Sequence, residues 1–160
     1  MHNTARFAVL VLLLTGAAGM AQDEKPNKSS VASGLANPVK YFSKSDVDGS
    51  FAKGGTLATE SNYKVMTAHR TEDGNVEIHN SYTDVFYILQ GSTDIVTGGK
   101  VIGVKNTNSD EPRGDSLEGG QTQHLSAGDA IVIPPGVPHW MRNVQGTLLY
   151  FVVKVRKEGA

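Results

Sequence analysis

Cysteine is absent from all 160 residues. That absence excludes disulfides, thiol nucleophiles, iron–sulfur clusters, thiolate zinc sites and lipidation of a cysteine, so any metal has to sit on histidine and carboxylate. Neither sign of charge is in excess. Fifteen Lys and Arg face sixteen Asp and Glu, a formal charge of −1, which argues against the dense basic face that nucleic acid or an anionic membrane surface requires. Aromatic residues are few, at 7%, with a single tryptophan. The stretch from Phe7 to Met20 is only 14 residues, short of the roughly 20 that cross a bilayer core. No stretch keeps a helical apolar period for three turns, and no repeat of solenoid length occurs.

What is present starts with an export signal's shape: a short Met1–Arg6 segment, an apolar run from Phe7 to Leu14, and small Gly19 and Ala21 before Gln22. Cleavage after Ala21 is expected. It leaves an exported chain, periplasmic or secreted, with no membrane span. Residues 22–38, rich in Asp, Glu, Lys, Pro, Asn and Ser, read as a flexible linker, and 39–158 as one domain of ordinary globular composition.

That domain breaks into short β-branched and aromatic runs punctuated by Gly, Asp, Asn and Pro, which is strand punctuation. Strands are expected at Tyr63–Arg70, Val76–Ser81, Val85–Leu89, Ser92–Val96, Lys100–Val104, Gln121–Leu125, Ala130–Ile133 and Leu148–Val155. Asp73-Gly74, Gly98-Gly99 and Gly128-Asp129 supply turns between them. An all-β chain of this length closes into a barrel or packs as two sheets. Asn106–Gly120 reads as a long, functional loop.

Two segments concentrate metal-binding and proton-moving groups. In the first, Glu77 and His79 alternate along an expected strand and so face the same way; Asp84 and Gly91 follow. In the second, Gly128, Pro134, Gly136, His139 and Asn143 are spaced 6, 2, 3 and 4 apart. The second segment matches the motif G-x5-P-x-G-x2-H-x3-N at every defined position, and the chain resembles a small single-domain cupin. The first motif, G-x5-H-x-H-x3,4-E-x6-G, is matched by His79 and Gly91. Glu77 replaces its first His, Asp84 its Glu, and Thr71 stands at its opening Gly.

The resemblance implies a double-stranded β-helix of jelly-roll type, with a divalent metal held by Glu77, His79, Asp84 and His139. Two imidazoles and two carboxylates suit Mn or Fe first, with Zn, Ni and Cu also compatible. Asp84 is short for direct ligation and is equally read as a turn residue opening a strand. Glu77 is read as a ligand or as a general base, and His69 as a second proton-transfer candidate. His124 stays outside the ligand set. Arg70 and Arg113 suit a substrate carboxylate, and Tyr87, on the strand face opposite Phe86, is a further substrate-binding candidate.

The expected function is a metalloenzyme acting on a small oxygenated molecule, with a lean to a dioxygenase-type oxidoreductase. The alternative is a non-catalytic module that binds a metal or small molecule. A metal-free storage-type jelly roll is the third reading, and the two histidines weigh against it. A homodimer through the apolar Leu148–Val155 strand is left open.

Overall fold

The computed structural model describes residues 39–159. The expected signal peptide and linker therefore lie outside the described residues. The first element is a helix, α1 (Lys44–Phe51), whose Ser43 side chain accepts from the Asp46 amide while Asp46 caps back onto Ser43. This reciprocal cap satisfies two otherwise orphaned donors and starts a helix of barely two turns, too short for an apolar period to reveal.

Ten strands follow: β1 (Gly55–Thr59), β2 (Tyr63–Arg70), β3 (Val76–Glu77), β4 (Tyr82–Thr97), β5 (Lys100–Ile102), β6 (Arg113–Gly114), β7 (Ser116–Glu118), β8 (Gln121–Ser126), β9 (Ala130–Ile133) and β10 (His139–Arg156). The long strands β4 and β10 run antiparallel along nearly their whole length. The first half of β4 also pairs with β9 and its second half with β8. The first residue of β10 pairs with β3, and its second half with β2. Eight of the strands thus form one sheet folded over on its two longest strands, giving the two faces of a jelly roll, while β5 and β7 pair as a separate two-stranded sheet.

The fold-over has a sequence cause. β4 bends at Gly91, whose φ is +76°, and β10 shifts register between Arg142 and Tyr150, where Asn143 and Gly146 take φ of 52° and 67°. A left-handed residue inside a strand breaks the pleat and sharpens its twist. The separately expected strands 85–89 and 92–96 are therefore one strand bent at Gly91, and the expected 148–155 is the second half of β10.

Inward positions alternate along both strands: Tyr82, Asp84, Phe86 and Ile88 on β4, and Leu148, Tyr150, Val152 and Lys154 on β10. Phe86, Ile88, Ile95, Leu125, Ile133, Met141, Leu148, Tyr150 and Val152 form the core. Outside the second half of β10, Phe51 of α1 meets Phe151 edge to face at 5.0 Å. Part of the apolar face that suggested a partner subunit is thereby covered by the chain's own helix.

Candidate metal centre

β3 is shorter than the expected Val76–Ser81: it ends at Glu77. Beyond it the amides of Ile78 and Asn80 donate to the carbonyls of Pro112 and Asp110, and the His79 carbonyl accepts from the Gly136 amide. His79 is thereby gripped between the 106–120 loop and the Pro134–Val137 turn, and that turn also delivers His139 as the first residue of β10. Glu77 and His139 are direct cross-strand partners. Two segments distant in sequence are joined at one point.

The result is a cluster in which one donor atom from each of Glu77, His79 and His139 lies within 4.8 Å of the others. Both imidazoles are buried. His79 Nε2 lies 3.3 Å from Glu77 Oε2 and 3.4 Å from Asp84 Oδ2. His139 Nε2 lies 4.0 Å from Glu77 and 3.9 Å from Asp84. The Nδ1–H of His139 donates to the Val137 carbonyl at 3.2 Å, which leaves Nε2 as a bare lone pair, and that buried atom has no hydrogen-bond partner. Buried polar atoms are seldom left unpaired. An orphan lone pair facing a carboxylate and a second imidazole fits a divalent transition metal.

Asp84 stands beside this trio. Both its oxygens accept from Lys154 Nζ at 2.9 Å, inside the barrel. Glu111, from the long loop, places Oε1 3.4 Å from His79 Nδ1. Without a metal the His79 Nε2–H donates to Glu77 and its buried Nδ1 has no hydrogen-bond partner; for Nε2 to bind a metal the ring proton has to move to Nδ1, on the Glu111 side.

Burial works to raise the Glu77 carboxyl, but the hydrogen bond from His79 and the charges of Arg113, His139 and His79 outweigh it and hold the group at about 2. For His139, burial dominates, and with the nearby His79 it pushes the imidazole below its ordinary 6.5 despite the Val137 carbonyl, Glu77 and Asp84. Near neutral pH the cluster is therefore one carboxylate and a neutral His139, the forms that bind metal.

These shifts have the same sign for stability. Between pH 6.5 and the lower native value of His139, and again between 4.5 and about 2 for Glu77, the unfolded chain binds more protons than the native one. Stability falls as pH falls through each window. The thermal midpoint of the metal-free protein is expected to decline on acidification from pH 7 to 5, and His139→Gln should flatten that decline. A midpoint indifferent to pH over this range would contradict the assignment.

The cluster opens onto a cavity of about 510 Å³ whose lining includes Lys64, Arg70, Glu77, His79, Asp84, Glu111, Arg113, Tyr150 and Lys154. Arg70 Nε donates to the Tyr150 hydroxyl at 2.9 Å, leaving the phenol's own proton for a ligand; burial is the main influence that pushes that phenol up. Arg113 Nη1 is buried with no hydrogen-bond partner.

The other site expectations divide. Arg70 and Arg113 line the cavity. Tyr87 does not: it is 46% exposed on the outer face of β4, and Phe86 takes the inward position, so its substrate role is corrected. His69 is corrected as a proton-transfer candidate. It lies on the face of β2 that packs against α1, where its Nδ1 donates to the Phe51 carbonyl at 2.8 Å. His124 pairs with Asp94 at the surface. Asn143 is a bend residue that donates to Asp94 at 2.7 Å. Lys154, Tyr150 and Glu111 were not expected in the site. For the first two a signal exists, since Leu148, Tyr150, Val152 and Lys154 share one period-2 face.

Among solved structures, the chain is similar to the DMSP lyase DddQ of Ruegeria pomeroyi at 15% identity, covering 67% of this chain and 48% of that one with a TM-score of 0.47. It thus spans about half the length of that lyase. It is similar also to KdgF of a Halomonas species, at 14% identity over 66% of this chain and 80% of that one, TM-score 0.48. A cupin-2 domain protein of Shewanella frigidimarina matches at 16% identity over 69% and 92%, TM-score 0.47. Among curated proteins, none matches. Residues 60–160 match the Cupin family; that span is more than half of the sequence and contains both motifs, and the chain belongs to the cupin family.

Proposed function

We propose that this cupin is an exported metalloenzyme acting on a small oxygenated organic molecule that carries a carboxylate, with dioxygenase-type oxidation as the favoured chemistry. The observation that carries the reading is the bare, buried His139 Nε2 beside Glu77 and His79, which themselves line a cavity of about 510 Å³. That volume is in the ordinary range for small-molecule sites. Export rests on the N-terminal pattern of residues 1–21 alone.

Glu77, His79 and His139 would hold the metal, with Mn or Fe favoured by the carboxylate in the set. When bound, such an ion supplies Lewis acidity and an open position for O₂ or a substrate oxygen. The chain's own residues do the rest. Arg113, whose Nη1 makes no hydrogen bond and whose fork lies 3.9 Å from Glu77 and 3.5 Å from Glu111, would turn its planar donors to a substrate carboxylate. Tyr150 holds a proton it can donate to a substrate oxygen, and Phe86 and Val152 supply the apolar wall. Four cationic side chains and three carboxylates line the cavity. A divalent ion makes it more positive still, which favours an anionic ligand.

The test is O₂ consumption by the Fe(II)-loaded full chain against a panel of small hydroxy and keto acids. Turnover of one acid supports the enzyme reading; saturable binding without turnover supports the binding module instead. Arg113→Lys keeps the charge but loses the fork. It is expected to weaken binding of the active acid by about tenfold or more at unchanged metal content, with no effect on the matching neutral alcohol. Equal losses for acid and alcohol would remove Arg113 from the carboxylate role.

A further inference from the structure

We infer that Lys154 is a clamp that keeps Asp84 out of the metal's ligand set, so that three protein groups and not four hold the ion. The inference rests on the metal-site reading above. Asp84 occupies the position of the motif's glutamate, and its Oδ2 is only 3.4 Å and 3.9 Å from the Nε2 atoms of His79 and His139. Distance alone therefore does not exclude it from the site.

What restrains it is its other neighbour. Lys154 is the direct cross-strand partner of Asp84 in the β4–β10 ladder, and its ammonium holds both carboxylate oxygens at 2.9 Å. Asp84 is 1% and Lys154 8% exposed, so water screens the pair little, and separating them would strand two buried charges. A metal competing for Asp84 has to draw charge from that ammonium. The side chain of Asp is also one methylene shorter than the motif's Glu, which keeps the carboxylate back toward β10. With the Asp84 charge cancelled by Lys154, the trio presents the single charge of Glu77, and a position that a fourth ligand would fill is left to water or substrate.

The test compares wild type with two variants of the full chain, reading the Kd for Mn(II) by calorimetric titration of the metal-free protein at one pH. Lys154→Met removes the ammonium that holds both oxygens of Asp84, and Mn(II) is expected to bind roughly tenfold or more tightly than to wild type. Asp84→Asn combined with Lys154→Met removes both charges in near-isosteric form and should return the Kd to within about threefold of wild type. If Lys154→Met binds Mn(II) no more tightly, the clamp is overturned. If Lys154→Met does not fold, the double variant decides: a Kd near wild type supports the clamp, and a loss of about a hundredfold makes Asp84 a ligand and overturns it. Wild type that takes up no Mn(II), Fe(II), Co(II) or Zn(II) at all overturns the metal-site reading itself, an outcome distinct from either of these.

Discussion

Replacing His139 by alanine is expected to weaken binding of a divalent transition metal by about a hundredfold or more, while the far-ultraviolet circular dichroism of the chain stays that of a β protein. The imidazole enters the cluster already committed. Its Nδ1–H is engaged by the Val137 carbonyl, its Nε2 is bare and unpartnered, and the Pro134–Val137 turn fixes where it points. No other histidine among the described residues outside the cluster can take its place, because His69 and His124 are tied up elsewhere. The ring's packing on Phe86, at 6.0 Å between centroids, is a smaller matter for stability. Metal titration of wild type and variant in parallel reads the effect. An unchanged affinity would mean that His139 is not a ligand.

The second large effect is on the fold. Gly91→Ala places a methyl group 2.6 Å from the Thr147 carbonyl oxygen and 3.0 Å from the Leu148 Cα, at a φ of +76°. The positive φ alone costs about 1 kcal/mol or somewhat more. The clash is with backbone, so β4 and β10 must separate where they bend together. A total of about 3 kcal/mol is expected, or a thermal midpoint lowered by about 10 °C for a domain of this size. Gly98→Ala is the control: its φ is +75° with nothing within 4 Å of the added carbon, so it should cost only the backbone strain. Equal losses from the two substitutions would show that the β4–β10 contact is not what Gly91 provides.

The architecture was largely legible because β-branched runs and turn glycines alternate along the chain, and because the second motif is unbroken from Gly128 to Asn143. The structure also supplies physical reasons for that motif. Gly128, Gly136 and Asn143 occupy left-handed backbone conformations, and His139 is placed by the turn before it. What local pattern could not show is how β4 and β10 meet. Lys154 faces Asp84 only because residues seventy apart share a register. Glu111 enters the site from a loop whose short β6 and β7 pair with β3 and β5, and no periodicity over two or three residues announces such pairings. Tyr87 misled because alternation reports two faces without saying which is inner; that is settled by the core partners of Phe86 and Ile88. The short helix α1 was missed for want of length, although Ser43 and Asp46 already spell its cap.

Glu77, His79 and His139 are the residues proposed to hold a divalent metal. The most direct test of that proposal is elemental analysis of the full chain purified without chelators, alongside His79→Ala and His139→Ala. Close to one equivalent of a first-row transition metal, Mn or Fe before others, is expected in wild type, and its loss from both variants. A wild-type chain that is metal-free and takes up no divalent ion on reconstitution would contradict it, leaving the cluster as a polar wall of the cavity.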